Sequence, residues 1–370
     1  MSACRNIEYE FESVSNETAQ ILCHFSDVFI PFVQRIVRYE SQVSLVCIFF
    51  NVFHFIVLTR KSMRTSSINI IMAAVAIADI LSLSVAVKIT IDTFISRLYT
   101  CVTVPSYTSV QIDIIVLSLR NFTRRCSTWL NFSIALIRTL VVRNPLNPIF
   151  DQLSNAKSGV YCVLLVFSLS LPITGFFVLR YKITSMEGVD YTPCDPSKNE
   201  TYYISKVSDL FLQDGGFILK TFTTTDATVS RLIPCVLFPI ITLLLIVEVR
   251  KSGRKSRKIT VGREKNGSKK TTRLILYLTL TFFIAEFPLG ITREIGEFVS
   301  TSFGISQIVT YFDVLFSFFL VLNTSTHLFI CLLLSSQYRT AARTIICCSS
   351  PRYKKSIMSS GVISVSPVDP

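Results

Sequence analysis

LTRKSMRTSSINIIMAAVAIAD, residues 58–79, is the stretch that decides the fold. It begins with a short link that contains three basic residues, Arg60, Lys61 and Arg64, and no acidic residue. From Ile68 to Val87 the chain is mostly apolar, and about 20 such residues in a helix cross the ~30 Å hydrocarbon core of a bilayer. Asp79 lies near the middle of this block, where a carboxylate is costly and usually marks a function or a partner. The stretch predicts a membrane-spanning helix that starts at the cytoplasm.

The rest of the chain has the composition of a membrane protein. Half of its 370 residues are hydrophobic, 16% are charged and the mean hydropathy is +0.52, whereas soluble domains carry about 25% charged residues. The net charge of +13 could indicate a nucleic-acid partner, but the basic residues lie in short segments between apolar blocks, as in loops that face anionic lipid. The eleven cysteines include no CxxC pair, so we expect no zinc site and no cofactor.

Six apolar blocks predict transmembrane helices directly. Four of them are near full length on their own: Ile68–Val87, Val160–Leu179, Leu274–Ile291 and Val314–Leu334. Two reach full length with flanking residues: Val43–Leu58 extended through Tyr39–Gln42, and Leu232–Val247 extended by Thr228–Arg231 or Glu248–Val249. We therefore predict an all-α membrane protein rather than a set of soluble domains.

A seventh span is predicted between residues 107 and 142, where the pattern is less regular. Two apolar pieces, Val110–Leu119 and Trp129–Val142, flank a polar stretch that contains Arg120, Asn121, Arg124 and Arg125. As one helix the whole region would measure ~54 Å. We therefore start this third span near Asp113 and expect the residues before it to form an outer extension.

Charge predicts the orientation. The link from Arg250 to Arg273 holds eleven basic residues against Glu264, so it is expected in the cytoplasm with the basic carboxyl-terminal tail. The segment from Arg180 to Arg231 has six basic and seven acidic residues and is expected outside. An odd number of spans then places the amino terminus outside, together with the glycosylation sequons at Asn16 and Asn199. Acids near the start argue against a signal peptide.

The expected organisation has three parts. Residues 1–35 form an uncleaved extracellular tail, residues 36–343 a seven-transmembrane domain that ends in a short amphipathic eighth helix, and residues 344–370 a cytoplasmic tail. Cys347 and Cys348 follow a basic amphipathic turn, which suits palmitoylation as well as it suits free thiols.

Four motifs resemble those of rhodopsin-like receptors. AIAD, ending at Asp79, is similar to the second-helix signature, and Asn51 fits the matching position in span one. SIALIRTLVVRNPLNP places Arg138 where a DRY triplet has its arginine, without the acid and the tyrosine. AEFP resembles the CWxP kink, with Glu286 for the tryptophan and Pro288 as the kink residue. NTSTHLFIC resembles an NPxxY element that begins after Asn323, with three replacements, His327, Leu328 and Cys331.

Taken with the stretches 58–79, 124–145 and 323–329, these motifs are similar to the nematode serpentine receptor class W. That family is a chemoreceptor group related to FMRFamide-type peptide receptors, and the resemblance covers residues 43 to about 343. It implies seven spans, a ligand that enters from outside and a heterotrimeric G protein inside. The residues expected to serve G-protein coupling and activation are Arg138, Pro288, Asn323 and His327.

The resemblance also implies a disulfide and a polar core. Cys101 and Cys194 would form the disulfide, although Cys4 and Cys23 could pair with each other. The polar core would comprise Asn51, Asp79 and Ser127. Asp79 and Ser127, with Asn323, could hold a sodium ion as in rhodopsin-like receptors, or they could form a water-linked network.

Charged residues near the outer half of the spans are the candidate ligand site. Arg120 and Arg124 are four residues apart on one helical face, and Arg124 lies ~21 Å outward of Arg138 by helical rise. Such a depth requires a water-filled cavity or acidic partners. The partner could be Glu286 or Asp313, or an acidic group of a ligand. Two further arginines complete the expected ligand-binding set, Arg125 and Arg293.

The residue types narrow the ligand and the function. Amine receptors carry an aspartate where Arg120 stands, and span seven contains no lysine for a retinal Schiff base. A peptide or a small acidic signal is therefore expected. A transporter or channel is the alternative, but paired broken helices are missing from the pattern. His54, His327 and one aspartate form no catalytic constellation, so an enzyme is not expected. The predicted location is the plasma membrane, for example of a sensory cilium.

Overall fold

The computed structural model describes residues 11, 14–98, 105–144, 147–186, 201–258, 276–277, 280–281, 283–292, 295 and 302–346. The chain is an all-α membrane protein with one short β-hairpin. Its helices before the hairpin are Asn16–Val37, Glu40–Leu58, Ser67–Ser82, Ser84–Leu98, Tyr107–Arg143, Pro148–Gln152 and Ala156–Leu179. Its helices after the hairpin are Asp209–Ala227, the π-helical turn Thr228–Leu232, Ile233–Lys258, Phe283–Thr292, Phe303–Thr324, Thr326–Leu334 and Ser336–Ile346.

Four described helices are long and apolar enough to cross a membrane. They are Glu40–Leu58 (span one), Ser67–Leu98 (span two), Ala156–Leu179 (span four) and Phe303–Leu334 (span seven). Span three is the helix Tyr107–Arg143, span five is the run of helices at 209–258, and span six includes Phe283–Thr292. Spans five and six contribute shorter apolar stretches. The seven predicted spans all have a helical counterpart in the described part of the chain.

The predicted span boundaries hold best at the ends expected to face the cytoplasm, which are called the cytoplasmic ends below, and the opposite ends are called the outer ends. Span one is Glu40–Leu58, as expected once Tyr39–Gln42 are included. Spans two and seven are longer on the outer side than predicted. Span two continues past Val87 to Leu98 after a break at Leu83, and span seven begins at Phe303 rather than Val314. Polar side chains such as Asp92 lower the hydropathy of these extensions, which explains why the apolar pattern ended too early.

Span three is one continuous helix of 37 residues. The side chain of Ser106 caps it by accepting a hydrogen bond from the amide of Ser109 at 3.2 Å. Its start at Tyr107 lies before the expected start near Asp113. Asp113 pairs with Lys88 of span two, and Lys88 also lies 2.7 Å from Asp92. The early part of span three is therefore tied to span two by a pair of opposite charges.

The amino-terminal segment, expected to be a tail, is helical from Asn16 to Val37. Its buried residues recur every three or four positions and so line one helical face: Ala19, Cys23, Ser26, Ile30 and Val33. This face packs on the outer part of span seven. The ring of Phe29 lies 4.4 Å from that of Phe312, and Gln34 Nε2 donates to the hydroxyl of Tyr311 at 2.8 Å. We call this element the amino-terminal helix.

A β-hairpin and the start of span five replace much of the expected outer loop. Strands β1 (Tyr181–Met186) and β2 (Tyr202–Val207) are antiparallel. The amide of Tyr203 donates to the carbonyl of Pro105 at 3.0 Å, which holds the hairpin beside span three. Helix then runs from Asp209, with a kink that includes Asp214, Gly215 and Gly216 at positive φ. Span five was predicted to start at Leu232, or at Thr228 with its flanking residues, and this start was too late because helix already runs from Asp209.

The main hydrophobic core lies toward the cytoplasmic half, between spans one to five, the end of span seven and the helix Ser336–Ile346, which we call the carboxyl-terminal helix. Spans two and four approach closely at Gly159, where a Cβ atom would stand 2.7 Å from the carbonyl oxygen of Ser67. The amide of Ser67 also donates to the carbonyl of Ser154 at 2.9 Å. Tyr338 of the carboxyl-terminal helix is fully buried in this core, which confirms the predicted amphipathic eighth helix.

Candidate functional site

A cavity of about 730 Å³ opens between the outer halves of the spans. Its outer part is lined by the end of the amino-terminal helix, the start of span one and the hairpin, through Val37, Arg38, Glu40 and Tyr181. Its floor lies at the middle of the bundle. The polar residues there come from spans two, three and seven: Asp79, Ser127, Asn131, Asn323, Thr324 and His327.

Four of the six predicted ligand-binding residues line this cavity. Arg120 and Arg124 lie on span three, Glu286 on span six and Asp313 on span seven. All four take part in polar or electrostatic interactions. Arg124 lies within electrostatic reach of both Glu286 and Asp79, and the hydroxyl of Thr128 donates to Glu286 at 3.4 Å. The cavity thus brings cationic and anionic side chains to one space, as their depth in the sequence predicted.

The remaining two members of the predicted set lie elsewhere. Arg293 is outside the described residues. Arg125 points away from the cavity and is only 4% exposed. Its guanidinium donates to the carboxylate of Asp226 at 2.7 Å, to Ser230 Oγ at 2.7 Å and to the carbonyl of Ser170 at 3.1 Å. These partners belong to spans five and four, so Arg125 joins three spans by one buried ion pair and its hydrogen bonds.

Asp226 is a residue that the sequence analysis did not single out. It lies one turn before Ser230 in the helical run that enters span five, and its own side chain is 23% exposed. The hydroxyl of Ser230 also donates to the same carboxylate oxygen at 2.7 Å. The sequence does indicate a partner for Asp226, because an acid so close to an apolar block usually has one. The residue was not singled out because it was expected to lie in an outer loop.

Two of the three residues predicted for the polar core, Asp79 and Ser127, meet at the cavity floor. Ser127 Oγ donates to Asp79 Oδ1 at 2.8 Å, and Asn131 Nδ2 donates to the carbonyl of Ser127 at 3.0 Å. Asn51 lies one layer away and joins spans one and seven, since its Nδ2 donates to Cys47 O at 2.9 Å and to Thr324 Oγ1 at 3.3 Å.

The same floor has the donor types that a sodium site requires. The carboxylate of Asp79, the hydroxyl of Ser127 and the amide oxygen of Asn323 are hard oxygen ligands, and all three residues line the cavity. Ser127 already points its hydroxyl at Asp79. No cluster of three or more His, Cys, Asp or Glu side chains suited to a metal ion occurs in the part of the chain that the structure describes. The floor therefore presents oxygen ligands of the kind that hard cations prefer.

The predicted coupling residues lie at three depths. Arg138 is half-buried near the cytoplasmic end of span three, and its Nε has no hydrogen-bond partner among the described residues. Pro288 lies within the span-six helix Phe283–Thr292. Asn323 and His327 flank the break in span seven at Ser325, where Thr326 Oγ1 donates to the carbonyl of Asn323 at 2.7 Å.

The predicted modification sites are mostly beyond the described residues. Asn16 is exposed at the start of the amino-terminal helix. The other glycosylation, disulfide and palmitoylation residues lie outside the described part: Asn199, Cys101, Cys194, Cys347 and Cys348. Cys23 is disulfide-bonded, as one of the two predicted pairings required, while its suggested partner Cys4 is not described.

Comparison with known proteins identifies one matching family. Residues 38–349 match the profile of the family described as "Serpentine type 7TM GPCR chemoreceptor Srw". The match begins at Arg38, just after the amino-terminal helix, and ends beyond the carboxyl-terminal helix, so it covers every span and the whole floor of the cavity. A search of curated proteins finds no match.

Proposed function

Because the chain belongs to the Srw family of serpentine seven-transmembrane chemoreceptors coupled to G proteins, we propose that it binds an extracellular acidic small molecule or peptide and activates a heterotrimeric G protein. The family is one of receptors and not of enzymes, and the chain is a multi-pass membrane protein. The observation that carries the proposal is the outer cavity with Arg120 and Arg124 on one wall.

The size of the cavity supports a small ligand or one end of a peptide. About 730 Å³ is within the ~300–1,000 Å³ typical of small-molecule sites. A carboxylate of the ligand would meet Arg120 first, because Arg120 lies one helical turn outward of Arg124. Charge-assisted hydrogen bonds from arginine to carboxylate are strong and directional. Asp313 and Glu286 on the facing wall would meet any cationic group on the same ligand.

Arg138 would carry coupling at the other end of span three. Its position near the cytoplasm and the basic link Arg250–Arg273 suit contact with a Gα subunit. Ligand binding would shift the population between two packings of the bundle, and the bend that Pro288 permits would allow span six to move. The adjacent Ile137 supplies no acidic partner within this motif, so a different contact would hold the resting state.

A reporter screen tests the ligand site. Cells expressing the chain with several Gα chimaeras would be exposed to small carboxylates, to free-acid peptides and to the corresponding amides. We expect responses to the free acids, and we expect Arg120→Gln to weaken them at least tenfold while surface level is unchanged. Lys220→Gln, on the outer part of span five, is the matched control. Equal responses to acids and amides would contradict the acidic ligand.

A second measurement tests coupling. Arg138→Ala should abolish G-protein activation and leave surface expression and ligand binding largely intact. Ligand-independent ion flux through the purified protein in liposomes would instead favour a transporter or channel and overturn the receptor proposal.

Several accompanying features belong to the same proposal. We place the protein in the plasma membrane, for example of a sensory cilium, with the amino terminus outside. Glycans would sit on Asn16 and Asn199, palmitate on Cys347 and Cys348, and a disulfide would join Cys101 to Cys194. Sodium would bind at Asp79 and Ser127, and sodium-dependent ligand affinity that Asp79→Asn removes would test that site.

A further inference from the structure

From the cavity floor toward the cytoplasm, three buried polar side chains follow one another. They are His327 of span seven, His54 of span one and Tyr338 of the carboxyl-terminal helix, and their exposed fractions are 2%, 1% and 0%. Three such groups are costly to bury unless they serve one another. His327 lines the cavity and belongs to the residues predicted for coupling and activation, whereas His54 and Tyr338 have no role assigned so far.

The end of this series is a hydrogen bond between two helices. His54 Nδ1 and the hydroxyl of Tyr338 are 2.7 Å apart, and the two ring centroids are 5.4 Å apart. The ring of Tyr338 lies in the main core with Ala341 and Ala342. The carboxyl-terminal helix is therefore docked by an aromatic side chain whose one polar atom meets span one.

The beginning of the series is part of the cavity. His327 lines the floor and stands two residues after the break of span seven at Ser325. Spans one and seven meet about one turn outward of this point, where Asn51 donates to Thr324 Oγ1 at 3.3 Å. His54 stands three residues after Asn51 and His327 three residues after Thr324, so the two histidines lie at the same depth on adjacent helices. Nδ1 of His327 and Nε2 of His54 have no hydrogen-bond partner among the described residues. A neutral imidazole donates from one nitrogen and accepts at the other. The group beside Nε2 of His54 therefore determines whether Nδ1 donates to the Tyr338 hydroxyl or accepts from it.

We propose that His327, His54 and Tyr338 form a relay that couples the cavity floor to the carboxyl-terminal helix. A change at the floor that moves His327 alters the surroundings of His54 Nε2. The tautomer of His54 then sets whether Nδ1 donates to the Tyr338 hydroxyl or accepts from it, and so how firmly the helix is held. The relay rests on the proposed function only for the source of that change, a ligand in the cavity.

Hydrogen exchange of the helix amides at 336–346 tests the end of the relay, in purified full-length protein in nanodiscs. Losing one net hydrogen bond should speed this exchange about fivefold in Tyr338→Phe and in His54→Phe. The double variant should match the single ones, because both remove the same bond. Tyr161→Phe, on an exposed position of span four, should change nothing. Additive effects, or no effect, would overturn the proposal.

A second pair of variants separates a relay from local packing. His327→Leu should speed exchange of the carboxyl-terminal helix, although His327 belongs to span seven, and should add nothing in the His54→Phe background. Val321→Ala, at another buried position of the cavity wall on span seven, is the matched control and should leave this exchange unchanged. Should His54→Phe fail to fold, His54→Asn replaces it. An unchanged exchange rate in His327→Leu would contradict the relay.

The exchange measurements need neither a ligand nor a G protein. Helix exchange that follows the predicted pattern in a protein without nucleotide-exchange activity would keep the relay and refute the proposed function. Signalling that survives in variants with unchanged helix exchange would refute the relay and keep the function.

Discussion

The ion pair between Arg125 and Asp226 should be a main contributor to the stability of the bundle. Asp226→Ala removes the acid that, among the described residues, pairs with a guanidinium that is 4% exposed. Breaking a buried pair typically costs about 3–5 kcal/mol, because the remaining charge is left without compensation. The carboxylate of Asp226 is 23% exposed, and Arg125 keeps its bonds to Ser230 and to the carbonyl of Ser170. We therefore expect a loss near the lower end, about 3 kcal/mol.

Thermal unfolding of the purified protein in nanodiscs measures this loss. The double variant Arg125→Met with Asp226→Leu should recover most of it, since apolar side chains of similar volume often replace a buried pair without penalty. Asp209→Asn, which breaks the exposed pair with Lys182, is the matched control and should have little effect. Unchanged stability in Asp226→Ala, or a double variant no better than the single one, would refute the reasoning.

Three further predictions concern packing and charge. Gly159→Ala should destabilise the protein by about 1–3 kcal/mol, because its Cβ would stand 2.7 Å from Ser67 O; Gly175→Ala, with nothing within 4 Å, should be neutral or stabilising in the same unfolding assay. Phe312→Ala should speed amide exchange across the amino-terminal helix by removing the ring whose centroid lies 4.4 Å from that of Phe29, and unchanged exchange would count against docking on span seven. Lys182 lowers the pKa of Asp209 by a hydrogen bond to its carboxylate. The lowered pKa stabilises the folded protein at neutral pH, and this contribution is lost as the pH falls through the pKa. Removing the hydrogen bond in Lys182→Gln should return the pKa of Asp209, followed by carboxyl NMR, to about 3.8.

The sequence predicted the positions of the spans well because each span needs about 20 mostly apolar residues to cross the bilayer. It also predicted that Arg120, Arg124, Glu286 and Asp313 would share a space, since charges at that depth need partners or water. The structure brings these four residues to one cavity. Depth along a helix is a local property, so it can be read from a single sequence.

Most features that sequence reasoning missed depend on contacts between distant segments. The partner of Arg125 is Asp226, 101 residues away, and the kink at Gly215 and Gly216 made the start of span five resemble a loop. The His54 to Tyr338 bond spans 284 residues. In neither case does the sequence around one residue identify its partner.

The amino-terminal helix was missed for a different reason. Its polar residues, among them Glu17 and Asp27, kept its hydropathy low, so the length rule for spans did not select it. A helical period was present, from Ala19 to Val33 in steps of three or four. The helical spacing of its apolar residues therefore does predict this helix from the sequence.

The central claim is that the chain crosses the bilayer seven times, with the cavity outside and the basic link inside. Epitope tags placed near Asn199 and within residues 259–272 test it most directly, by antibody binding to intact and to permeabilised cells. We predict that the first tag is reached in intact cells and the second only after permeabilisation. Both tags on the same side would contradict the account.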